Sequence, residues 1–283
     1  MTVLDALIEE LRDHPAEILL VDSSTDGTNE LVRSRFPTVR LLHFDEPHNL
    51  PELRGHGIAE SHGDIVAILD AFSVVVPGWA DAVLRAHKEQ PQPVIGGTVD
   101  FYAEDPFDFR VWTIYVNEYA GFMPPLAPGC STNVPGSNMS YKRSALGDVE
   151  NLRRNGFWKT FLNKDLEKQA PSLWIAPDMV VRLFKPIPFW DFFQTRYDHG
   201  RCYAAMRTSG ASAYTRGMRA LLAPLLPGIF LWRLLATCWP KREYRTRLLL
   251  SLPLQAILFA NWSWGEFWGY LLGCGRSCAR LYY

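Results

Sequence analysis

The sequence predicts an α/β protein with a mostly parallel sheet, helices on both faces of that sheet, and a C-terminal hydrophobic helical region. Two observations predict this class. Short apolar segments alternate with helical segments as far as Phe101, and two long apolar runs rich in tryptophan follow residue 205. The 283 residues suffice for a large α/β domain over residues 1–205 and an apolar appendage over residues 206–283.

The alternating elements can be placed in order. A first helix is predicted over residues 2–13, because apolar residues recur there at helical spacing. The strands that follow are predicted at EILLVD, VRLL, DIVAILD and VIGGTVDF, and the helices between them at TNELVRSR, PELRGHGIAES and PGWADAVLRAH. Strands that alternate with helices of this length predict a parallel sheet covered on both faces.

The composition excludes several classes of function. A formal charge of -1 and a pI of about 6.7 give no reason to expect nucleic acid as a partner. The five cysteines are scattered and odd in number, which argues against a disulfide framework and indicates a reducing compartment. Cys274 and Cys278 are the only close pair, and they lack the neighbours of a zinc site. The acidic, helical start has none of the pattern of a secretory signal.

Two aspartates end predicted strands. Asp22 closes EILLVD and Asp70 closes DIVAILD. Ligands of such sheets bind outside the carboxyl ends of the strands, so these carboxylates are candidates to read a base or ribose and to hold a divalent cation on a diphosphate. The alternative is that both are ordinary turn or helix-capping residues.

The order of the segments resembles one family. The run from VDSSTDGT through DIVAILD to VVPGWADAVLRAH, followed by GGTVDF, VPGSNMSYKRSAL and QTRYDHGR, resembles the family 2 glycosyltransferases of the GT-A (Rossmann-like) fold. Their usual pattern is a VDDGSTDGT turn and a DxD motif followed by PGW. The resemblance covers roughly residues 15–205, and it implies that residues 1–205 form a nucleotide-sugar glycosyltransferase domain.

The resemblance implies roles for individual residues. Asp22 would read the nucleotide base, usually uracil, and Asp70 would be the surviving first carboxylate of the DxD motif. Arg54 lies where related chains bring basic residues to the phosphates, and Arg196 and Arg201 match the arginine-bearing end of the family's Gln-Arg-Trp-like region. The implied donor is a nucleoside diphosphate sugar, with a UDP-sugar expected first, and the implied cofactor is Mg²⁺ or Mn²⁺.

The sequence departs from the family pattern at both catalytic positions. Phe72 stands where the second DxD carboxylate is expected, so metal affinity should be weak or the cation replaced by arginine. Lys159 stands where the family has its base, and a lysine with an ordinary pKa is charged and cannot accept a proton. Asp165 is the substitute base that we name, with Asp148 and Glu150 as further candidates. Each could equally be a solvated helix charge.

The start of the chain is a third departure. The family normally opens with a strand of the type VSVVIPTYN, and here the sequence begins inside the helix that should follow it. We therefore expect the sheet to lack a central member, and an upstream extension that carries the strand to raise stability.

The acceptor side is predicted from aromatic and polar residues. The long stretch from Phe101 to Pro135 carries Trp112, Tyr115, Tyr119 and Phe122, whose flat faces could stack on a sugar or lipid-linked acceptor. Their spacing is also that of an amphipathic helix, which favours core packing for at least half of them. Asn138 is placed like the polar residue that lies beside the donor sugar in this family, although a purely structural turn is the alternative.

The C-terminal region predicts contact with a membrane. Two apolar runs near spanning length, RALLAPLLPGIFLWRLLATCW and LLLSLPLQAILFANWSWGEFWGYLLG, flank the basic linker PKREYRTR. If both runs spanned the membrane, a cytoplasmic catalytic domain would place the basic linker on the outer side of the membrane. That placement violates the positive-inside tendency. Arg233 and two prolines in the first run favour a helix that lies in the interface. We expect a peripheral or hairpin anchor, with a single span by the second run as a variant and a buried helical cap as the alternative.

These features together predict a function. The expected activity is transfer of a sugar from a nucleoside diphosphate donor to a glycan or lipid-linked acceptor at the cytoplasmic face of the membrane, in cell-envelope or exopolysaccharide synthesis. The alternative is a catalytically degenerate protein that binds a nucleotide sugar or serves as a scaffold. Phe72, Lys159 and the missing strand favour the alternative, whereas Asp22, Asp70 and RYDHGR favour the enzyme.

Overall fold

A computed structural model describes residues 3–102, 108–183 and 187–281 of the chain. The chain divides into two compact units, the first formed by residues 1–102 and 122–185 and the second by residues 103–121 and 186–283. The division therefore falls at other points than the predicted boundary after residue 205. The reason is that the helix carrying RYDHGR packs with the apolar C-terminal helices.

The secondary structure predicted up to Phe101 is confirmed. Residue 2 of the first predicted helix lies outside the described residues. In chain order the elements are α1 (Val3–Glu10), β1 (Leu19–Asp22), α2 (Thr28–Arg35), β2 (Arg40–His43), α3 (Leu50–Glu60), β3 (Ile65–Leu69), β4 (Ser73–Val75), α4 (Trp79–Glu89), β5 (Val94–Phe101), α5 (Phe109–Tyr119), β6 (Gly129–Ser131), β7 (Asn138–Lys142), α6 (Val149–Asn155), α7 (Lys159–Glu167), β8 (Leu173–Leu183), α8 (Phe189–Arg207), α9 (Ala213–Leu222), α10 (Leu226–Cys238) and α11 (Arg245–Leu272).

The strands of the first unit form two sheets. β1 and β2 pair in parallel with each other, and the larger sheet has the order β3-β7-β5-β8-β4, with β6 also paired to β8. In the larger sheet β5 and β8 are parallel, and the other neighbours are antiparallel. The alternation of strands and helices does not reveal these antiparallel members. Within the described residues β1 and β3 share no ladder.

Apolar burial holds each sheet to its helices. Val32 of α2, Phe36 at its C-cap and Val39 before β2 are buried in one cluster, against which Leu20 and Leu41 of the small sheet pack. A larger core lies on one side of the six-stranded sheet and includes Val94, Met139, Tyr141, Phe157 and Leu173, all fully buried. The predicted α/β class is thus confirmed.

The second unit is built on the crossing of α8 and α11. Gly200 of α8 and Gly265 of α11 lie at this crossing, where a side chain on either would overlap the backbone of the partner helix. Glu266 is buried between the helices, and its carboxylate accepts hydrogen bonds from Trp262 Nε1 and Tyr270 Oη, both at 2.6 Å. A buried carboxylate needs such donors, so α11 is a core helix of this unit.

The expectation that the cysteines form no disulfide framework is wrong for one pair. Cys202 of α8 and Cys278 form a disulfide with their Cα atoms 5.0 Å apart, while Cys130, Cys238 and Cys274 form no disulfide. The partners lie 76 residues apart in sequence, so spacing could not reveal a pair that only the packing of α8 brings together.

The two apolar runs differ in burial. Ala213–Cys238, which comprises α9, a short turn and α10, is long and apolar enough to cross a membrane, with a mean hydropathy of 1.7 and 17% of its most apolar window buried. In the described part of the chain it is the only helical stretch that meets this test, which rests on length and composition alone. The second run, which the variant prediction took as the span, forms most of α11 and buries Leu248, Leu258 and Tyr270.

The close crossing of α8 and α11 gives a test of the second unit. A Gly265→Ala variant should lose about 1–3 kcal/mol of unfolding free energy, because the new methyl group overlaps the Tyr197 carbonyl oxygen. Gly217→Ala in α9 is the matched control, since its methyl group meets no atom within 4 Å. The control should gain up to about 1 kcal/mol from helix propensity. Chemical denaturation measures both, and a similar gain for the two variants would contradict the crossing.

Candidate functional site

The strand that ends in VDSSTDGT places Asp22 at its last position. Its Oδ1 accepts a hydrogen bond from Ser24 N at 3.1 Å, which fixes the turn out of the sheet. Its Oδ2 lies 2.9 Å from Nδ1 of His43, the last residue of the neighbouring strand β2. The Asp22 side chain is only 13% exposed, so a ligand would meet a carboxylate already held in one orientation.

The sequence interpretation missed a group of aromatic and histidine side chains beside Asp22. His43 contacts Asp22, and the rings of Phe44, His48 and His56 lie 4.6–5.4 Å from one another. His48 N also donates to Ser23 Oγ at 3.3 Å. His43 could have been predicted from the sequence. The strands β1 and β2 are parallel neighbours, so the residues at their carboxyl ends, Asp22 and His43, lie side by side.

Helix α3 brings Arg54 into the site. Asn49 and Glu52 form a capping box at its start and Pro51 occupies the first turn, which explains why a helix begins here. Gly57 lets this helix approach β1, because a side chain there would contact Val21 at 3.0 Å. The contact places the helix, and with it Arg54, directly beside the strand that ends in Asp22.

Arg54 and Asp70 form a largely buried ion pair. Arg54 Nη2 lies 2.5 Å from Asp70 Oδ1 and donates to the carbonyl oxygen of Gly136 at 2.9 Å. The two side chains are 15% and 17% exposed. The pair ties together α3, the residue that follows β3, and the loop before β7, so the structure brings together two of the predicted site residues.

Lys159, at the start of α7, belongs to the same site. Its Nζ donates to the carbonyl oxygen of Val134 at 2.6 Å and to Asn133 Oδ1 at 3.2 Å. Burial lowers the pKa of Lys159 to about 8; the charge of Arg54 lowers that pKa further and the charge of Asp70 raises it. The ordinary pKa assumed from the sequence is therefore wrong, although the amine remains mainly protonated at pH 7.

The three candidate bases are all engaged as surface charges. Asp165 is 67% exposed and pairs with Lys168 at 2.6 Å. Asp148 caps α6 by accepting from the backbone N–H groups of Glu150 and Asn151. Glu150 itself pairs with Arg153 at 3.3 Å. The solvated-charge interpretation fits each of them, and the structure assigns none as a base.

Asn138 is buried and makes structural hydrogen bonds. It is fully buried, its Nδ2 donates to the carbonyl oxygens of Thr98 and Met179 at 2.9 and 2.8 Å, and its Oδ1 accepts from Trp79 Nε1 at 2.9 Å. The two carbonyls lie where the β5–β8 register shifts between Gly97 and Thr98. The amide satisfies groups that the irregular ladder leaves without strand partners.

The aromatic residues predicted for the acceptor are core residues of the second unit. Trp112, Tyr115 and Tyr119 of α5 are 1%, 2% and 6% exposed, so none offers an open face for stacking. Residues 103–107 of the same stretch lie outside the described residues. Phe122 belongs to the first unit and packs on its main core. Core packing, which the helical spacing favoured, is the outcome for all four.

The two arginines of RYDHGR also serve the second unit. The Arg196 guanidinium lies 4.2 Å from the centre of the Trp262 ring, and burial lowers its pKa to about 10. Arg201 Nε donates to the Gly273 carbonyl oxygen at 3.0 Å, at the end of α11. Both side chains therefore have partners on α11 or just beyond it, and their predicted role beside donor or acceptor remains a prediction.

A divalent cation fits these side chains poorly. Asp70 offers one carboxylate, whose Oδ1 is taken by Arg54, and Phe72 stands where the resemblance leads us to expect the second carboxylate. Among residues 3–102, 108–183 and 187–281, no three His, Cys, Asp or Glu side chains group to hold a metal ion. Mg²⁺ requires six oxygen ligands and Ca²⁺ six or more. The donor set is thus unlike the metal site that the family resemblance implied.

Comparison with known proteins identifies the family. A family model described as glycosyl transferase family 2 matches residues 2–149, just over half of the chain. The chain belongs to glycosyl transferase family 2. A solved mannosyltransferase from Pyrobaculum calidifontis in complex with GDP-Man and Mn²⁺ has a similar fold, with a TM-score of 0.53, 21% identity, and coverage of 92% of this chain and 80% of that chain. This likeness confirms the predicted GT-A fold.

Curated relatives of this family 2 chain match less than half of it. It is 28% identical over 144 residues to a glucosyl-dolichyl phosphate glucuronosyltransferase of Haloferax volcanii, over 48% of this chain and 45% of that protein. It is 25% identical over 113 residues to polypeptide N-acetylgalactosaminyltransferase 13 of Homo sapiens, over 38% of this chain and 20% of that protein. The chain spans less than half the length of these curated relatives.

The position of Asn138 in this family 2 chain gives a stability test. Asn138→Leu keeps the side-chain size but leaves the carbonyl oxygens of Thr98 and Met179 and the Trp79 N–H without their partner. Each unpaired buried group costs about 1–3 kcal/mol, so the unfolding free energy should fall by at least about 2 kcal/mol.

Asn151→Leu, on the exposed face of α6, is the control and should stay within about 0.5 kcal/mol of the native protein. Urea denaturation measures both variants. A folded, fully stable Asn138→Leu protein would return this residue to the list of candidates for the donor sugar.

Proposed function

We propose that this chain is a glycosyltransferase that moves a sugar from a nucleoside diphosphate donor, with a UDP-sugar expected first, to an acceptor. The observation that carries the proposal is the arrangement of Asp22 and the Arg54–Asp70 pair. Both aspartates lie at the carboxyl ends of strands, and α3, which holds Arg54, packs on the strand that ends in Asp22. A carboxylate for the base beside a cation for the diphosphate is the chemistry that a nucleotide sugar requires.

In the proposed reaction, Asp22 binds the base and the cationic groups stabilise the leaving diphosphate. Asp22 accepts hydrogen bonds from the base and orients the nucleoside. The bond between the anomeric carbon and the diphosphate oxygen breaks with its electron pair on that oxygen, and an acceptor oxygen forms the new bond to the carbon. The proton of the acceptor passes to a base. Cationic groups near the diphosphate lower the barrier, because negative charge develops on the leaving group.

The acceptor that we propose is a glycan or a lipid-linked sugar at the cytoplasmic face of the membrane, in cell-envelope or exopolysaccharide synthesis. The name of the relative from Haloferax volcanii specifies a glucosyl-dolichyl phosphate, which is a lipid-linked sugar. The apolar surface of α9 and α10 supports a membrane site: Leu221, Leu225 and Trp232 are 72%, 61% and 69% exposed. Because α11 is a core helix, the anchor that we propose is α9–α10, lying in the interface.

A second candidate is a nucleotide-sugar-binding protein without catalysis. One specific observation favours it: Asp165, Asp148 and Glu150 are all engaged elsewhere as surface or capping charges. The two candidates differ in turnover. Release of free nucleoside diphosphate in the presence of a membrane extract supports the enzyme, and tight donor binding with no release supports the binding protein.

The donor proposal is tested by thermal-shift titration with UDP, GDP, dTDP and CMP. A bound nucleotide at a hundred times its dissociation constant should add about 2.7 kcal/mol to stability. Asp22→Asn should shift the titration to at least about tenfold higher nucleotide. Asp178→Asn, which changes a carboxylate with a 76% exposed side chain, should leave the titration unchanged. Absence of stabilisation by all four nucleotides in the folded native protein would reject the donor proposal.

The membrane proposal is tested by flotation with anionic lipid vesicles. The native chain should float with the vesicles, and a Leu221→Ser/Leu225→Ser double variant should remain in the soluble fraction, because it removes apolar surface that would enter the interface. Leu31→Ser is the matched control, since Leu31 is 55% exposed on α2 of the first unit. Equal flotation of the double variant and the control would reject α9–α10 as the anchor.

A further inference from the structure

Two cationic side chains of the first unit, Arg54 and Lys159, bind the same loop. Arg54 holds the carbonyl oxygen of Gly136, and Lys159 holds the carbonyl oxygen of Val134. These carbonyls belong to residues two apart on one loop, so they lie within about 7 Å of each other along the chain. The guanidinium lies near enough to the ammonium for the charge of Arg54 to lower the pKa of Lys159, and Asp70, which pairs with Arg54, also acts on Lys159.

The charges of this cluster are not balanced. Arg54 and Lys159 carry two positive charges, and Asp70 supplies one negative charge. Neighbouring cations repel each other, and this repulsion contributes to the lowered pKa of Lys159. A cluster with one excess positive charge, largely removed from water, favours the binding of an anion.

Hydrogen-bond donors also remain for a ligand. Arg54 Nη2 makes both contacts of the guanidinium to the described residues, and its buried Nε has no partner there. Nη1 makes no hydrogen bond within the same described residues. Lys159 uses two of its three ammonium protons. Planar guanidinium and ammonium donors match the oxygens of a phosphate group.

We infer that Arg54 and Lys159 take the place of the divalent cation: they bind the diphosphate of the donor and stabilise its developing charge without a metal ion. The inference rests on the proposed function, because it assumes a nucleoside diphosphate as the leaving group. When the sugar leaves, the electron pair of the broken bond stays on the diphosphate oxygen. Arg54 and Lys159 donate hydrogen bonds to the diphosphate and transfer no proton, so the base that receives the acceptor proton is a separate group.

The first test compares nucleotide binding with and without metal. Isothermal titration of the full chain with UDP and with GDP is carried out once with Mn²⁺ and once with EDTA. The dissociation constant of the nucleotide that binds should agree within about threefold between the two conditions. Binding that requires Mn²⁺ would overturn the inference and leave the proposed donor class intact. Absence of binding in both conditions would overturn the inference together with the proposed function.

The second test removes each cation in turn. Arg54→Gln and Lys159→Gln should each weaken nucleotide binding in EDTA by about tenfold or more, since each removes charged hydrogen bonds to phosphate oxygens. Lys168→Gln is the matched control, because Lys168 follows the same helix as Lys159 and its side chain is 74% exposed. Equal affinities for the native chain and the Lys159→Gln variant would overturn the inference for Lys159.

A pH series separates a charge role from a structural role. The native chain should bind the nucleotide more weakly as the pH rises from 7 to 9, because Lys159, with a pKa of about 8, loses its charge in this interval. Arg54 and Asp70 are the charged groups that act on Lys159. A Lys159→Arg variant should bind with constant affinity across the series. A pH dependence shared by the native chain and Lys159→Arg would contradict the assignment of charge to Lys159.

Discussion

The ion pair of Arg54 with Asp70 is the interaction on which the candidate site depends. It joins the middle of α3, the residue after β3 and the loop before β7, and Ile58, Ile68 and Val134 of these segments belong to one hydrophobic core. With side chains only 15% and 17% exposed, neither charge could remain without the other at low cost. The packing of α3 on β1 places Arg54 near the strand ends, and the ion pair with Asp70 holds its guanidinium in one position.

The sequence predicted the fold and the strand-end residues, because both follow from local patterns. Apolar runs mark where β1 and β3 end, so Asp22 and Asp70 could be placed at the carboxyl ends of two strands before any contact was known. Arg54 followed from the family resemblance. The Gly136 contact of Arg54 spans 82 residues of sequence, and no local pattern encodes such a contact.

The failures have physical causes of the same kind. Asn138 follows a Pro-Gly turn and looked like a ligand, but the shifted β5–β8 register had left carbonyl oxygens that its amide satisfies. Trp112 and Tyr119 were candidates for stacking on an acceptor, but their helical spacing places both side chains on the buried face of α5. Lys159 was given an ordinary pKa, because its desolvation arises from the packing of α7 against a loop distant in sequence.

The surviving carboxylate has a role even where no metal binds. A metal ion can leave with the product diphosphate, whereas side-chain cations stay and must be stabilised between reactions. Asp70 supplies part of that stabilisation, since it neutralises one of two neighbouring cations when the diphosphate is absent. Removing both carboxylates of the DxD motif would leave Arg54 and Lys159 repelling each other in a poorly solvated place. Phe72, two residues after Asp70, brings no second carboxylate that could neutralise the remaining positive charge, and an anionic donor can do so instead.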